Sequence, residues 1–194
     1  MNKLLFLLPF AALLGMAALN TVTYKADIAN SVIVWKGYKV TGEHTGTVKL
    51  KNGELQFTDG KLTGGSFEVD MNSINCTDLE GGTAEKLVGH LKSDDFFGVQ
   101  KYPTARFVIT KAFPTDTKGG YRVTGNLTIK ETTKEIRFNA QVNESGNQVK
   151  ATGKITIDRS EYNVRYGSGS FFDNLGDKTI YDEFDLNVTI VARK

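Results

Sequence analysis

The residues able to do covalent chemistry in this chain are few. There is one cysteine, Cys76, and there are two histidines, His44 and His90. Cys76 with His90, or His90 with Asp94 or Asp95, has the residue types of a nucleophile and its base. None of the local patterns that hold such groups together is present: no Gly-x-Ser-x-Gly elbow, no His-Glu-x-x-His, no Cys-x-x-Cys. Asp173, Asp177, Asp182 and Glu183 offer carboxylates, without the regular oxygen spacing of a calcium loop. The expectation is a chain with no catalytic residue, no metal and no cofactor. Cys76 makes no internal disulfide and reads as a small buried hydrophobe. His44, within Gly42-Glu43-His44-Thr45-Gly46, reads as exposed or loop-fixing. His90 has two open readings: it meets the polar end of a ligand, or it is hydrogen-bonded to fix a loop.

With chemistry so sparse, the function has to be read from shape. The chain has 194 residues, 40% hydrophobic and 24% charged, the composition of one ordinary globular domain. Its formal net charge of +2 provides no field to draw in nucleic acid, so no nucleic-acid partner is expected. The first 18 residues read as a processing signal. Lys3 gives a short positive region, Leu4 to Leu14 an apolar run, and Gly15-Met16-Ala17 the small residues a signal peptidase reads. Cleavage near Ala17 or Ala18 would leave residues 19–194 as one domain, periplasmic or secreted, with no stable membrane span.

The elements are strands. Tyr121, Val123, Gly125, Leu127 and Ile129 fall on one face, with Arg122, Thr124, Asn126, Thr128 and Lys130 on the other. Ile136 to Val142, Val149 to Ile157 and Phe184 to Ala192 repeat this period of two. Earlier strands read as Ser31–Val40, Thr45–Leu50, Glu54–Thr58, Ser66–Ile74 and Ala105–Phe113. Asn52-Gly53, Asp59-Gly60, Gly119-Gly120 and Glu144-Ser145-Gly146-Asn147 read as the turns between strands. Eight or nine long strands with short turns make an antiparallel meander, and closing it removes its exposed edges. The expected fold is all-β: one eight-stranded antiparallel, lipocalin-like barrel. Between Thr83 and Phe97 the spacing turns helical, an insertion placed to cover one mouth. A second non-strand stretch runs from Gly167 to Lys178.

Several motifs in order carry a resemblance. They are Asp70-Met71-Asn72-Ser73-Ile74, Gly89-His90-Leu91-Lys92-Ser93-Asp94-Asp95-Phe96-Phe97, Lys101-Tyr102-Pro103-Thr104-Ala105-Arg106-Phe107, and Gly125-Asn126-Leu127-Thr128-Ile129-Lys130 followed by Thr133-Lys134. From Asn30 to Val191 the chain resembles the YceI-like family of bacterial periplasmic proteins. The resemblance implies a lipocalin-like barrel whose tunnel takes a polyisoprenoid chain, such as an isoprenoid quinone tail. Cys76 stands where many relatives carry a polar residue, and Asp158-Arg159-Ser160-Glu161-Tyr162 fits the family's Arg-containing stretch only loosely.

A long apolar tail binds by burial, worth about 25 cal/mol per Å². The inward phases supply the candidate ligand contacts. The first half of the chain gives Trp35, Phe67, Val69 and Met71; the second gives Phe107, Ile109, Leu127, Ile129, Phe138, Ile155, Phe184 and Leu186. Leu87, His90, Leu91, Phe96 and Phe97 would cover the mouth or line its entrance. Gly125, Gly153, Ala140 and Ala151 either leave room inside or mark sharp bends. The expected function is an exported binding protein that carries, stores or sequesters an isoprenoid lipid. The alternative is a secreted structural or stress-response module with a filled core. Paired barrels are a further expectation if the mouth leaves aromatics exposed.

Overall fold

Strands form wherever the period of two runs unbroken, as the computed structural model of residues 19–194 shows. The expected leader, residues 1–18, lies outside the described residues. The strands are β1 Thr21–Ala26, β2 Val32–Lys39, β3 Gly42–Thr58, β4 Lys61–Cys76, β5 Thr104–Pro114, β6 Gly120–Ile129, β7 Thr132–Ser145, β8 Gln148–Asp158 and β9 Ile180–Arg193. One helix, α1 Gly81–Lys92, interrupts them between β4 and β5. From β2 to β9 each strand pairs antiparallel with the next, and β9 pairs back onto β2, with Trp35 opposite Leu186. The sheet is therefore a closed barrel.

The expected count of eight or nine strands has a structural reason. β2 pairs with the first part of β3 and most of β9, while β1 pairs with the last part of β3 (Lys25 opposite Glu54) and the end of β9 (Lys25 opposite Arg193). β1 and β2 thus lie end to end between β3 and β9. Nine strands make eight staves. The strand reading starts at Ser31 and so misses β1, although Val22, Tyr24 and Ala26 alternate correctly and Tyr24 is only 3% exposed.

One predicted turn is corrected. Asn52-Gly53 closes no hairpin, because β3 runs through it to Thr58. Instead the pairing with β4 shifts between Leu50 and Asn52, a bulge that changes which face is inward. Leu50 and then Leu55 and Phe57 are consequently all buried. Gly53 is required there for a different reason: a Cβ would stand 2.4 Å from Phe67 Cδ1, whose ring lies over it. Asp59-Gly60 does reverse the chain, with φ of 49° and 73°, both positive as a tight hairpin turn demands.

β4 carries a larger bulge. Lys49 pairs with Asp70 but Thr47 with Asn75, so residues 71–74 leave the ladder. The freed backbone groups find side chains: Lys49 N–H donates to Ser73 Oγ at 2.7 Å, and Ser73 Oγ donates to the Asp70 carbonyl at 2.6 Å. After β4, α1 begins two residues before the predicted helix and stops five residues short of Phe97. Ser93 ends it by donating its hydroxyl to the His90 carbonyl at 2.7 Å. A tight turn with Gly98 at φ 58° then brings Phe96 and Phe97 back toward the barrel.

The barrel has one packed end and one open end. Tyr24, Leu55, Phe57, Leu62, Val123 and Val149 fill the end reached by β1 and the Asp59-Gly60 turn. At the other end stand α1, the β6–β7 turn and the long segment between β8 and β9.

Candidate functional site

Toward the α1 end the interior is hollow. A cavity of about 230 Å³ runs inside the barrel, lined almost wholly by apolar side chains. A water needs only about 10–15 Å³ of such space, so this is no packing defect. The hollow also shows in the strands themselves. Trp35, Phe67, Phe107, Phe138, Ile155, Phe184 and Leu186 point inward with the buried phase yet are only half-buried, because they face the cavity.

Glycines explain how large rings coexist with empty space. Trp35 pairs with Gly46, where a Cβ would stand 2.6 Å from Trp35 Cζ2. Phe67 lies over Gly53, and Phe107 over Gly125, with Phe107 Cζ 2.4 Å from the position of a Cβ. Each ring is seated against the backbone of the neighbouring strand, which lays it along the wall. Gly153 differs. A Cβ there would make only ordinary contacts of 3.4–3.5 Å with Asn139 O and the Phe138 ring. It leaves room, whereas Gly125 receives a ring.

Fifteen of the seventeen expected contact residues stand on the cavity wall: all twelve strand positions from Trp35 to Leu186, and Leu91, Phe96 and Phe97 at the mouth. Leu87 and His90 do not. Leu87 lies a turn further back on α1, and His90 packs edge-on against Tyr166 at 4.3 Å and Phe96 at 5.6 Å. Its buried Nε2 has no hydrogen-bond partner among the described residues. The wall also includes residues outside the expected set of ligand contacts. Ile33, Ile136 and Val188 share a phase with Trp35, Phe138 and Leu186, so the alternation already contained them. Arg159 lies just beyond the end of β8, and Ile180 and Tyr181 open β9 ahead of a register shift against β2, so simple alternation does not signal them.

Arg159 is the one charged side chain on that wall among the described residues. It is 2% exposed, and its guanidinium donates to the carbonyls of Val164 (2.8 Å), Ile180 (2.9 Å) and Tyr181 (3.1 Å). Asp182 lies 3.3 Å away, and the Phe96 ring is stacked at 5.3 Å. Burial lowers its pKa, opposed by Asp182 and Asp158. A guanidinium has five N–H groups in a fixed fork, so Arg159 anchors the segment between β8 and β9 and still has donors to spare.

The other sequence candidates settle elsewhere. Cys76 is buried and its Sγ bonds Asp78 Oδ1 at 3.1 Å; burial and that carboxylate push the thiol up, away from nucleophilic thiolate. His44 Nδ1 lies 2.9 Å from Asp78 Oδ2, so it fixes the loop into α1. Burial would raise Asp78, but hydrogen bonds from Cys76, His44 and the Thr45 N–H outweigh it and hold the carboxyl at about 2. On the outer face, Asp185 accepts from Thr156 (2.6 Å) and Tyr38 (2.8 Å) and pairs with Lys154 (2.9 Å). Bonds from Thr156 and Lys154 hold it at about 2. Asp182 also accepts from Ser170 at 2.7 Å. No helix of the described residues is long and apolar enough to cross a membrane.

Comparison with known proteins agrees with this architecture. The YceI-like domain model matches residues 24–192. A UPF0312 protein of Photorhabdus laumondii is 30% identical over 181 residues, covering 87% of this chain and 91% of its own. A UPF0312 protein of Pseudomonas putida is 34% identical over 149 residues, 71% of this chain and 73% of its own. Among solved structures, Burkholderia cenocepacia BcnA superposes with a TM-score of 0.72 at 24% identity, covering 86% of this chain and 99% of BcnA. A polyisoprenoid binding domain from Saccharophagus degradans superposes with a TM-score of 0.62 at 14% identity, covering 88% and 97%. Matched over nearly its whole described length, the chain belongs to the YceI-like family.

Proposed function

We propose that this protein binds one long apolar lipid, an isoprenoid chain, inside its barrel, and that it does no chemistry on it. The observation that carries this is the apolar hollow. At roughly 24 cal/mol per Å³, keeping about 230 Å³ empty costs on the order of 5 kcal/mol. That is comparable to the whole net stability of a domain, about 5–15 kcal/mol. A barrel module with no ligand gains nothing from such a void; a carrier recovers the cost on binding. The polyisoprenoid-binding neighbour supports the choice of lipid.

Orientation follows from the two ends. The tail points at the packed end, toward Leu55 and Leu62, and a polar head that accepts hydrogen bonds sits by Arg159 at the α1 mouth. The leader-like residues 1–18 favour export to the periplasm, where the protein carries, stores or sequesters its lipid. Exposed Tyr166, Phe171, Phe172 and Tyr181 around the mouth favour pairing of two barrels, which sedimentation would reveal.

Organic extraction of the purified protein, followed by mass spectrometry, tests the reading. A prenyl lipid at about one per chain is expected. An empty protein that also fails to take up prenyl quinones from solution would overturn it.

A further inference from the structure

A second hollow, of about 140 Å³, lies at the rim of the α1 mouth and shares no lining residue with the apolar lumen. Four separate stretches build it. The turn after α1 brings Asp94, the approach to β5 brings Lys101 and Tyr102, the β6–β7 turn brings Lys130 and Glu131, and the segment after β8 brings Tyr162 and Asn163. The first three stretches overlap the motifs that carry the family resemblance, Tyr162 closes the stretch that fits it only loosely, and lipid binding in the lumen uses none of these side chains.

One buried group on its wall lacks a partner, and one cation lacks a counter-charge. Tyr162 is 1% exposed, and its hydroxyl has no hydrogen-bond partner among the described residues. Burial pushes the phenol up to about 12, so it remains a donor at physiological pH. Lys130 is held inward by two carbonyls, Asn163 O at 3.1 Å and Phe96 O at 3.4 Å. Among the described residues no carboxylate lies within ion-pair distance of its ammonium, and the third N–H is left over. Lys130 and Asn163 both adopt left-handed backbone, with φ of 55° and 59°. For a lysine that conformation is uncommon, and it persists where the surroundings enforce it.

The carboxylates of the pocket are already engaged. Asp94 accepts from Lys101 at 3.2 Å, and Glu131 accepts from the Tyr102 hydroxyl at 2.7 Å. What remains is a cation without a counter-charge and a neutral hydroxyl without a partner, both donors on residues that line the pocket. A single water needs about 10–15 Å³, so the space admits something larger. We propose that this pocket binds a small oxyanion, of carboxylate or phosphate size, held between the Lys130 ammonium and the Tyr162 hydroxyl. The site stands independently of what occupies the lumen.

The test is a two-dimensional amide NMR titration of the whole mature chain with sodium phosphate and with sodium acetate, at ionic strength fixed with sodium chloride. Saturable shifts confined to the backbone around 94–102, 130–132 and 160–163 are expected. Tyr162→Phe removes only the unpartnered hydroxyl and keeps the ring, so the fold should survive. Lys130→Met keeps the apolar stem. Each should weaken binding about tenfold, the size of one charge-assisted or buried hydrogen bond. Shifts no larger than chloride produces, or affinity unchanged in both folded variants, would overturn the proposal. So would crystals grown with phosphate that hold only water in the pocket.

Discussion

Asp185 shows how far one exterior side chain reaches into the stability of this barrel. Its carboxyl stands at about 2 in the fold, held by Thr156 and Lys154, against about 3.9 in an unfolded chain. A depressed carboxylate contributes stability fully above its unfolded pKa and loses it as pH falls toward the folded one. Asp185 therefore stabilises the fold above about pH 4 and stops doing so by about pH 2. Asp185→Asn should cost on the order of 2 kcal/mol at pH 7 and flatten the acid limb of the melting curve. Thermal melts of both proteins from pH 7 to pH 2 check this. Arg159 acts from inside. Arg159→Met would strand the carbonyls of Val164, Ile180 and Tyr181, and freeing the segment between β8 and β9 should cost several kcal/mol. Limited proteolysis should then cut between Asn163 and Thr179, where the parent protein resists.

Strands determine which glycine positions tolerate change. At Gly46 a Cβ would meet Asn75 O at 1.8 Å, and that backbone is fixed by pairing. Gly46→Ala should cost about 1–3 kcal/mol or more, seen as a lowered denaturation midpoint. Gly153→Leu should behave oppositely. It meets only ordinary contacts, grows into the lumen, and should preserve the fold while abolishing retention of an extracted lipid. The sequence shows the strands and their inward phase because alternation is local: Tyr121 to Ile129 is buried at every second position as expected. It does not show which glycine receives a ring, since that depends on a partner strand up to 18 residues away, as with Phe107 and Gly125. Asn52-Gly53 misleads for the same reason: the dipeptide allows a turn, and the β3–β4 pairing decides against it. Arg159 falls just past β8 and Tyr181 ahead of the register shift against β2, so only the folded chain brings them to the cavity.

For the whole molecule, a lumen that is costly when empty should make stability depend on the lipid proposed to fill it. Protein stripped of lipid should melt at a lower temperature. Adding back a prenyl quinone at about 100 times its dissociation constant should restore about 2.7 kcal/mol. Calorimetry with and without the lipid checks this; identical melting would mean that the hollow is not where the quinone goes.

The split stave carries a different consequence, one of timing. β9 is the last of the described strands along the chain, and like β3 it pairs with both β1 and β2. Without β9 the sheet would be open, with two bare edges and its oily face to water. Closure is thus a check that this strand has arrived. A chain cut short before Ile180 has no way to seal, and it should be recognised by proteases and chaperones as incomplete.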